Sequence, residues 1–122
     1  MGKLLIVEGD PAFRLLIKTI LGQDGHQVSE TRDGQEGVDS YKKDGADIVI
    51  SDILMPVKDG LEVIQELRQD DSEVRLIAMT AYDEEGEVGY LHLAEEYGAD
   101  RAFSKPIPAK DLLNAVSELL DQ

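Results

Sequence analysis

The chain has 122 residues, enough to bury a core without staples, and carries 12 Lys and Arg against 26 Asp and Glu, a formal charge of −14. Such a balance argues against nucleic acid and anionic membrane surfaces as direct partners, since both are bound by clustered basic side chains. With no cysteine, disulfides, thiolate metal sites and a cysteine nucleophile are excluded, and His26 and His92 alone cannot build a zinc site.

The apolar run Leu4-Leu5-Ile6-Val7 is too short for a signal peptide and reads as a strand, and nothing in the chain is long enough to cross a bilayer. The expectation is a cytoplasmic, acidic globular domain spanning 1–122, standing alone or cut from a longer protein. Asp10 before Pro11 is a natural N-cap with proline at the first helical position. Phe13, Leu16, Ile17 and Ile20 form the expected stripe of that helix and Gly22 its stop. Gln27–Thr31 is a weaker strand candidate. Asp33 with Glu36 opens a helix carrying Val38 and Tyr41. Ile48-Val49-Ile50 follows as a strand. Asp59 with Glu62 then opens a helix carrying Leu61, Ile64 and Leu67. The branched apolar run over 74–79 is a further strand. Tyr90, Ala94 and Tyr97 mark a helix ending at Gly98, and Arg101–Ser104 is a last, weak strand. Pro108 opens the final helix, with Leu112, Val116, Leu119 and Leu120 on its buried side.

Strict strand–helix alternation without repeats predicts an α/β fold, a three-layer sandwich with right-handed crossovers. Ligand chemistry in such folds collects beyond the carboxyl ends of the strands. There the chain places Glu8-Gly9-Asp10, then Asp52, Thr80 and Lys105. Crowded carboxylates favour a hard divalent cation such as Mg²⁺. A carboxylate beside such a metal can attack a phosphoryl group, with an ammonium and a hydroxyl holding the transferred oxygens.

The strings Val7 to Pro11, Asp52-Ile-Leu-Met-Pro-Val-Lys-Asp-Gly60, Met79-Thr80-Ala81 and Gly98-Ala-Asp with Lys105-Pro106 resemble the receiver domain of two-component response regulators. The resemblance covers essentially the whole chain. It implies a doubly wound, parallel, five-stranded, flavodoxin-like sheet in the order 2-1-3-4-5. It implies phosphorylation of Asp52 by a histidine kinase or phosphotransfer protein, with slow self-dephosphorylation rather than enzymatic turnover. Thr80 and Lys105 would hold the phosphoryl group, and the Leu54 carbonyl would bind Mg²⁺ beside Glu8 and Asp52, with Asp10 a further candidate. Leu54 and Tyr82 would flank the phosphoryl group; both are bulky, which implies a long-lived acyl phosphate. A downstream protein target, and a homodimer through the fourth helix, fifth strand and fifth helix, are implied as partners.

Three positions depart from the family pattern. Receivers carry two adjacent acids after the first strand, the second a direct Mg²⁺ ligand, and here they are Glu8 and Gly9. Either Glu8 reaches into the room left by Gly9 and holds a weakened metal, or the domain is a phosphate-independent pseudo-receiver acting as an interaction module. The aromatic usually found three residues before the lysine is Ala102. Its neighbour Phe103 faces the other side of a strand and is expected to pack in the core. Tyr82 or Tyr90 are the rings left to replace it. The Thr80–Lys105 stretch is also longer than usual and contains an acidic, glycine-broken run, expected as a solvated loop or a partner surface. Enzymes on similar folds fit less well. A flavin carrier needs a phosphate-friendly first loop, and a haloacid-dehalogenase-type phosphatase needs an acid at position 54, which is Leu.

Overall fold

The structure is a computed structural model that describes residues 2–55, 57–81 and 89–122. Its elements run β1 (Lys3–Val7), α1 (Pro11–Gln23), β2 (Gln27–Thr31), α2 (Gly34–Asp44), β3 (Ile48–Asp52), α3 (Gly60–Asp70), β4 (Arg75–Thr80), α4 (Gly89–Tyr97), β5 (Arg101–Ser104) and α5 (Ala109–Leu120). The five strands pair in the order β2-β1-β3-β4-β5, every pairing parallel. This is the expected flavodoxin-like sheet.

Successive strand residues face opposite sides, so the apolar runs feed two cores at once. Leu4, Ile6, Ile48, Ile50, Ile77 and Met79 pack against Ile17 and Leu21 of α1 and Leu112, Val116 and Leu119 of α5. Leu5, Val7, Val49, Leu76 and Ala78 pack against Val38 of α2, Val63, Ile64 and Leu67 of α3 and Ala94 of α4. β2 lies at the sheet edge, and of its residues Val28 packs against the core, which is why its apolar signal is faint.

Two expectations for the first helix are corrected. Its buried face is centred on Ile17 and Leu21, with Phe13 and Ile20 half-buried, whereas Leu16 is 50% exposed. Leu16 stands one residue, about 100°, round the helix from Ile17, and Leu15 is exposed beside it. Gly22 does not stop the helix, which runs on to Gln23 with Asp24 as its C-cap. The residue that takes the left-handed conformation is Gly25, at φ +88°. Tyr97, placed on the buried stripe of α4 by its spacing, is 42% exposed.

The helix starts follow the sequence more closely. Asp10 accepts the Ala12 N–H at 3.0 Å, Asp33 accepts the Glu36 N–H at 2.9 Å and Asp59 accepts the Glu62 N–H at 3.0 Å. Glu36 reaches back to the Arg32 N–H rather than to that of the cap residue, so the capping pair is shifted by one.

Gly60 ties the start of α3 to the end of β3. A Cβ there would lie 2.2 Å from the Asp52 carbonyl oxygen and 2.5 Å from the Ile53 Cα, both backbone atoms that cannot swing aside. Gly60→Ala is therefore expected to cost about 3 kcal/mol, because either the backbone of Asp52 or α3 must shift. The midpoint of urea unfolding checks this; a change within experimental error would show that the contact relaxes freely.

Candidate functional site

The parallel register brings the ends of β1, β3 and β4 and the residue after β5 to one rim. Val7 pairs with Ser51, Asp52 with Met79, and Thr80 with Ser104, after which the Lys105 N–H donates to the Thr80 carbonyl at 2.8 Å. Glu8, Asp52 and Thr80 are polar yet buried there, at 1%, 6% and 0% exposure. Buried polar groups demand partners.

For the two carboxylates Lys105 supplies one in common. Its ammonium donates to Glu8 Oε1 at 2.7 Å and to Asp52 Oδ2 at 3.1 Å. The other Glu8 oxygen, Oε2, accepts the Asp10 N–H at 2.9 Å, and Asp52 Oδ1 accepts a long contact from the Leu54 N–H at 3.3 Å. Arg14 fixes the backbone beneath Glu8 by donating from Nη1 to its carbonyl at 2.7 Å.

One cation thus stands between two buried carboxylates. Burial, and then the negative charge of Glu8, push the Asp52 carboxyl up to about 6, against a smaller opposing pull from Lys105. For Lys105 burial works against the charge. Its hydrogen bond to Glu8 and the field of Asp52 outweigh this and hold the amine above the usual lysine range.

A cleft of about 500 Å³ opens over this cluster, lined among others by Gly9, Asp10, Arg32, Leu54, Ala81 and Lys105. At Gly9 an added Cβ would meet, among the described residues, the Arg32 carbonyl at 3.3 Å. A side chain could therefore stand there with an adjustment of a few tenths of an ångström. Asp10 is exposed, and its carboxylate caps α1. Among the described residues no group of three or more His, Cys, Asp or Glu side chains is placed to enclose a metal. Glu8 and Asp52 nevertheless form an incompletely neutralised carboxylate pair, whose hard oxygen donors suit Mg²⁺, an ion that keeps several waters and takes one or two protein carboxylates.

Tyr82 and the side chain of Tyr90 lie outside the described residues, as does the acidic run over 83–88. Ala102 packs with the α2–α4 core, whereas Phe103 packs with the α1–α5 core, the opposite face. A contact not anticipated from sequence is that of Phe13, whose ring lies under the Lys105 ammonium at 4.4 Å.

Residues 4–117 match the response regulator receiver domain. The chain belongs to this family. It is 30% identical over 118 residues to sporulation initiation phosphotransferase F of Bacillus subtilis, covering 97% of this chain and 93% of that protein. It is likewise 30% identical to the chemotaxis protein CheY of Halobacterium salinarum, covering 97% and 96%. Among solved structures, a response regulator receiver domain protein from Clostridium thermocellum superposes with a TM-score of 0.91 at 25% identity, covering 99% of this chain and 95% of that one. Receivers are signalling modules of two-component systems and generally bind Mg²⁺ at their phosphorylation site. No helix among the described residues is long and apolar enough to cross a membrane.

Proposed function

We propose that this receiver, acting as one unit over 1–122, accepts a phosphoryl group on Asp52 from a histidine kinase or histidine phosphotransfer protein. The observation that carries this reading is the convergence of Asp52 and Glu8 on one Lys105 ammonium beside an open cleft. With its carboxyl pushed up to about 6, Asp52 is still ionised at neutral pH and can attack phosphorus. A new O–P bond forms, the P–N bond of the phosphohistidine breaks, and the imidazole leaves with its electron pair and takes a proton from water. Lys105 then moves its charge onto the phosphoryl oxygens, and the buried Thr80 hydroxyl at the end of β4 is the hydrogen-bonding group for them.

Mg²⁺, when bound, neutralises charge on the phosphoryl oxygens; Glu8, Asp52 and the Leu54 carbonyl would hold it. Its grip is weak because Gly9 withdraws the usual direct acid and Glu8 already holds Lys105 and the Asp10 amide. Leu54 and Tyr82 are both bulky and poorly suited to orienting an attacking water, which makes the acyl phosphate comparatively long-lived. The phosphorylated surface read by a cytoplasmic protein target, or by a second copy, is that of α4, β5 and α5. Ala102 leaves this switch without the usual aromatic.

Incubation with Mg²⁺ and acetyl phosphate or phosphoramidate, followed by intact mass measurement, tests the assignment. The expected result is a gain of one phosphoryl group, absent in Asp52→Asn. No gain at saturating Mg²⁺ would favour the phosphate-independent interaction module instead.

A further inference from the structure

The contact between Phe13 and Lys105 has no counterpart in the chemistry assigned so far. An ammonium has three N–H donors. Two are engaged by Glu8 Oε1 and Asp52 Oδ2, and the face of the Phe13 ring lies under the same nitrogen at 4.4 Å. The ring face carries the negative lobe of the aromatic quadrupole and attracts a cation within about 6 Å. The attraction is largest where water is excluded, and the Lys105 side chain is only 14% exposed.

The fold explains how the ring comes to be there. Phe13 is in the first turn of α1, two residues after Pro11, and α1 begins at the rim where β1 ends. Helical side chains lean toward the N-terminus, so this position points its ring back at the strand ends rather than down the helix. The body of Phe13 packs against the core shared by α1 and α5. The ring is thus held by packing, and Lys105 is held by the ring.

We infer that Phe13 is a positioning residue: its ring face holds the Lys105 ammonium over Glu8 and Asp52, where an incoming phosphoryl group needs it. Without the ring, a flexible four-carbon side chain would keep the two carboxylates on one side and lose its aromatic contact on the other. The effect on phosphorylation rests on Asp52 being the phosphoacceptor; the placement of Lys105 does not.

The test compares wild type with Phe13→Leu, Phe13→Tyr and a ring-trifluorinated phenylalanine at position 13. The last keeps the shape and weakens the quadrupole, so it reports on the attraction even if Phe13→Leu folds poorly. Two readouts are taken on the full chain: the NMR shift of the Lys105 ε-methylene protons, and the rate of mass gain from acetyl phosphate. The ring is expected to shift those protons upfield in wild type and Phe13→Tyr, and Phe13→Leu to remove the shift. Phosphorylation is expected to slow about threefold to tenfold in Phe13→Leu and in the trifluorinated protein, while Phe13→Tyr stays near wild type. An unshifted Lys105 in wild type would overturn the inference. So would equal rates in a wild type that is phosphorylated and in the trifluorinated protein, or equal slowing by Leu and Tyr, which would make Phe13 plain packing. A shifted Lys105 in a wild type that takes no phosphoryl group would support the positioning and overturn the phosphoacceptor assignment.

Discussion

Lys105→Met is expected to destabilise the protein by about 3 kcal/mol near pH 8 in EDTA, although methionine fills nearly the same volume. Lys105 is the cation shared by two buried carboxylates, at 2.7 and 3.1 Å. Its removal leaves Glu8 and Asp52 facing each other at 1% and 6% exposure, with the Asp10 and Leu54 amides as their remaining partners among the described residues. A lone buried charge costs far more than the net gain from a pair, and here two buried charges lose their counter-ion at once. Adding Asp52→Asn removes one of the two charges. The double variant is therefore expected to recover most of the loss, more than Asp52→Asn gains on its own, and the excess is the coupling readable in a double-mutant cycle of urea unfolding. A double variant whose stability is the simple sum of the two single effects would mean that Lys105 does not serve both acids together.

The second large effect has the opposite sign. Asp52 has an ordinary value of 3.8 and is pushed up to about 6 in the folded chain, chiefly by burial and then by Glu8. Between those two values the folded state holds a proton that the unfolded state has lost, so stability falls as pH rises through the window. Above it the folded chain carries a carboxylate that would be more comfortable in water, a difference of about 3 kcal/mol at most. Asn has the same shape and never ionises, but forgoes the charge-assisted bond to Lys105. Asp52→Asn should thus stabilise the metal-free protein by about 1 to 2 kcal/mol near pH 8, raising Tm by several degrees, and give no gain near pH 4. A destabilised variant at both pH values would show that Lys105 fully neutralises Asp52.

These effects arise at residues that the strand ends made visible. β1, β3 and β4 are continuous branched apolar runs, because both of their faces are covered, and such runs are hard to mistake. Once their order is read, the position of Glu8, Asp52, Thr80 and Lys105 on one rim follows from the alternation alone. What could not be read is whatever depends on how helices are rotated and on long-range side-chain reach. The apolar spacing sets the face of α1 one residue off at Leu16, because Leu15 and Leu16 supply apolar character on the solvent side. Likewise Gly22 reads as the stop, and only the path of the chain after Asp24 shows that Gly25 takes the left-handed turn instead.

Arg68 shows the same limit. It donates to the Ser72, Val74 and Gly98 carbonyls and to Asp100, joining the end of α3 to the turn between α4 and β5. No local spacing announces a partner 30 or 32 residues away. The ring of Phe13 beneath Lys105 belongs to this class too. The departure at Gly9, by contrast, is visible in sequence, and the structure adds that it lines the cleft, where an added Cβ would meet, among the described residues, the Arg32 carbonyl at 3.3 Å.

The most direct test of a working phosphoacceptor site with a weakened hold on metal is the Mg²⁺ concentration needed for phosphorylation by acetyl phosphate, read by intact mass in wild type and Gly9→Asp. Wild type should be phosphorylated, but at high Mg²⁺, and Gly9→Asp should reach half-saturation at about tenfold less metal or lower, since the added carboxylate supplies a further oxygen ligand. The same half-saturating Mg²⁺ in both proteins would contradict the weakened site, and a wild type that stays unphosphorylated at every Mg²⁺ concentration would contradict the phosphoacceptor itself.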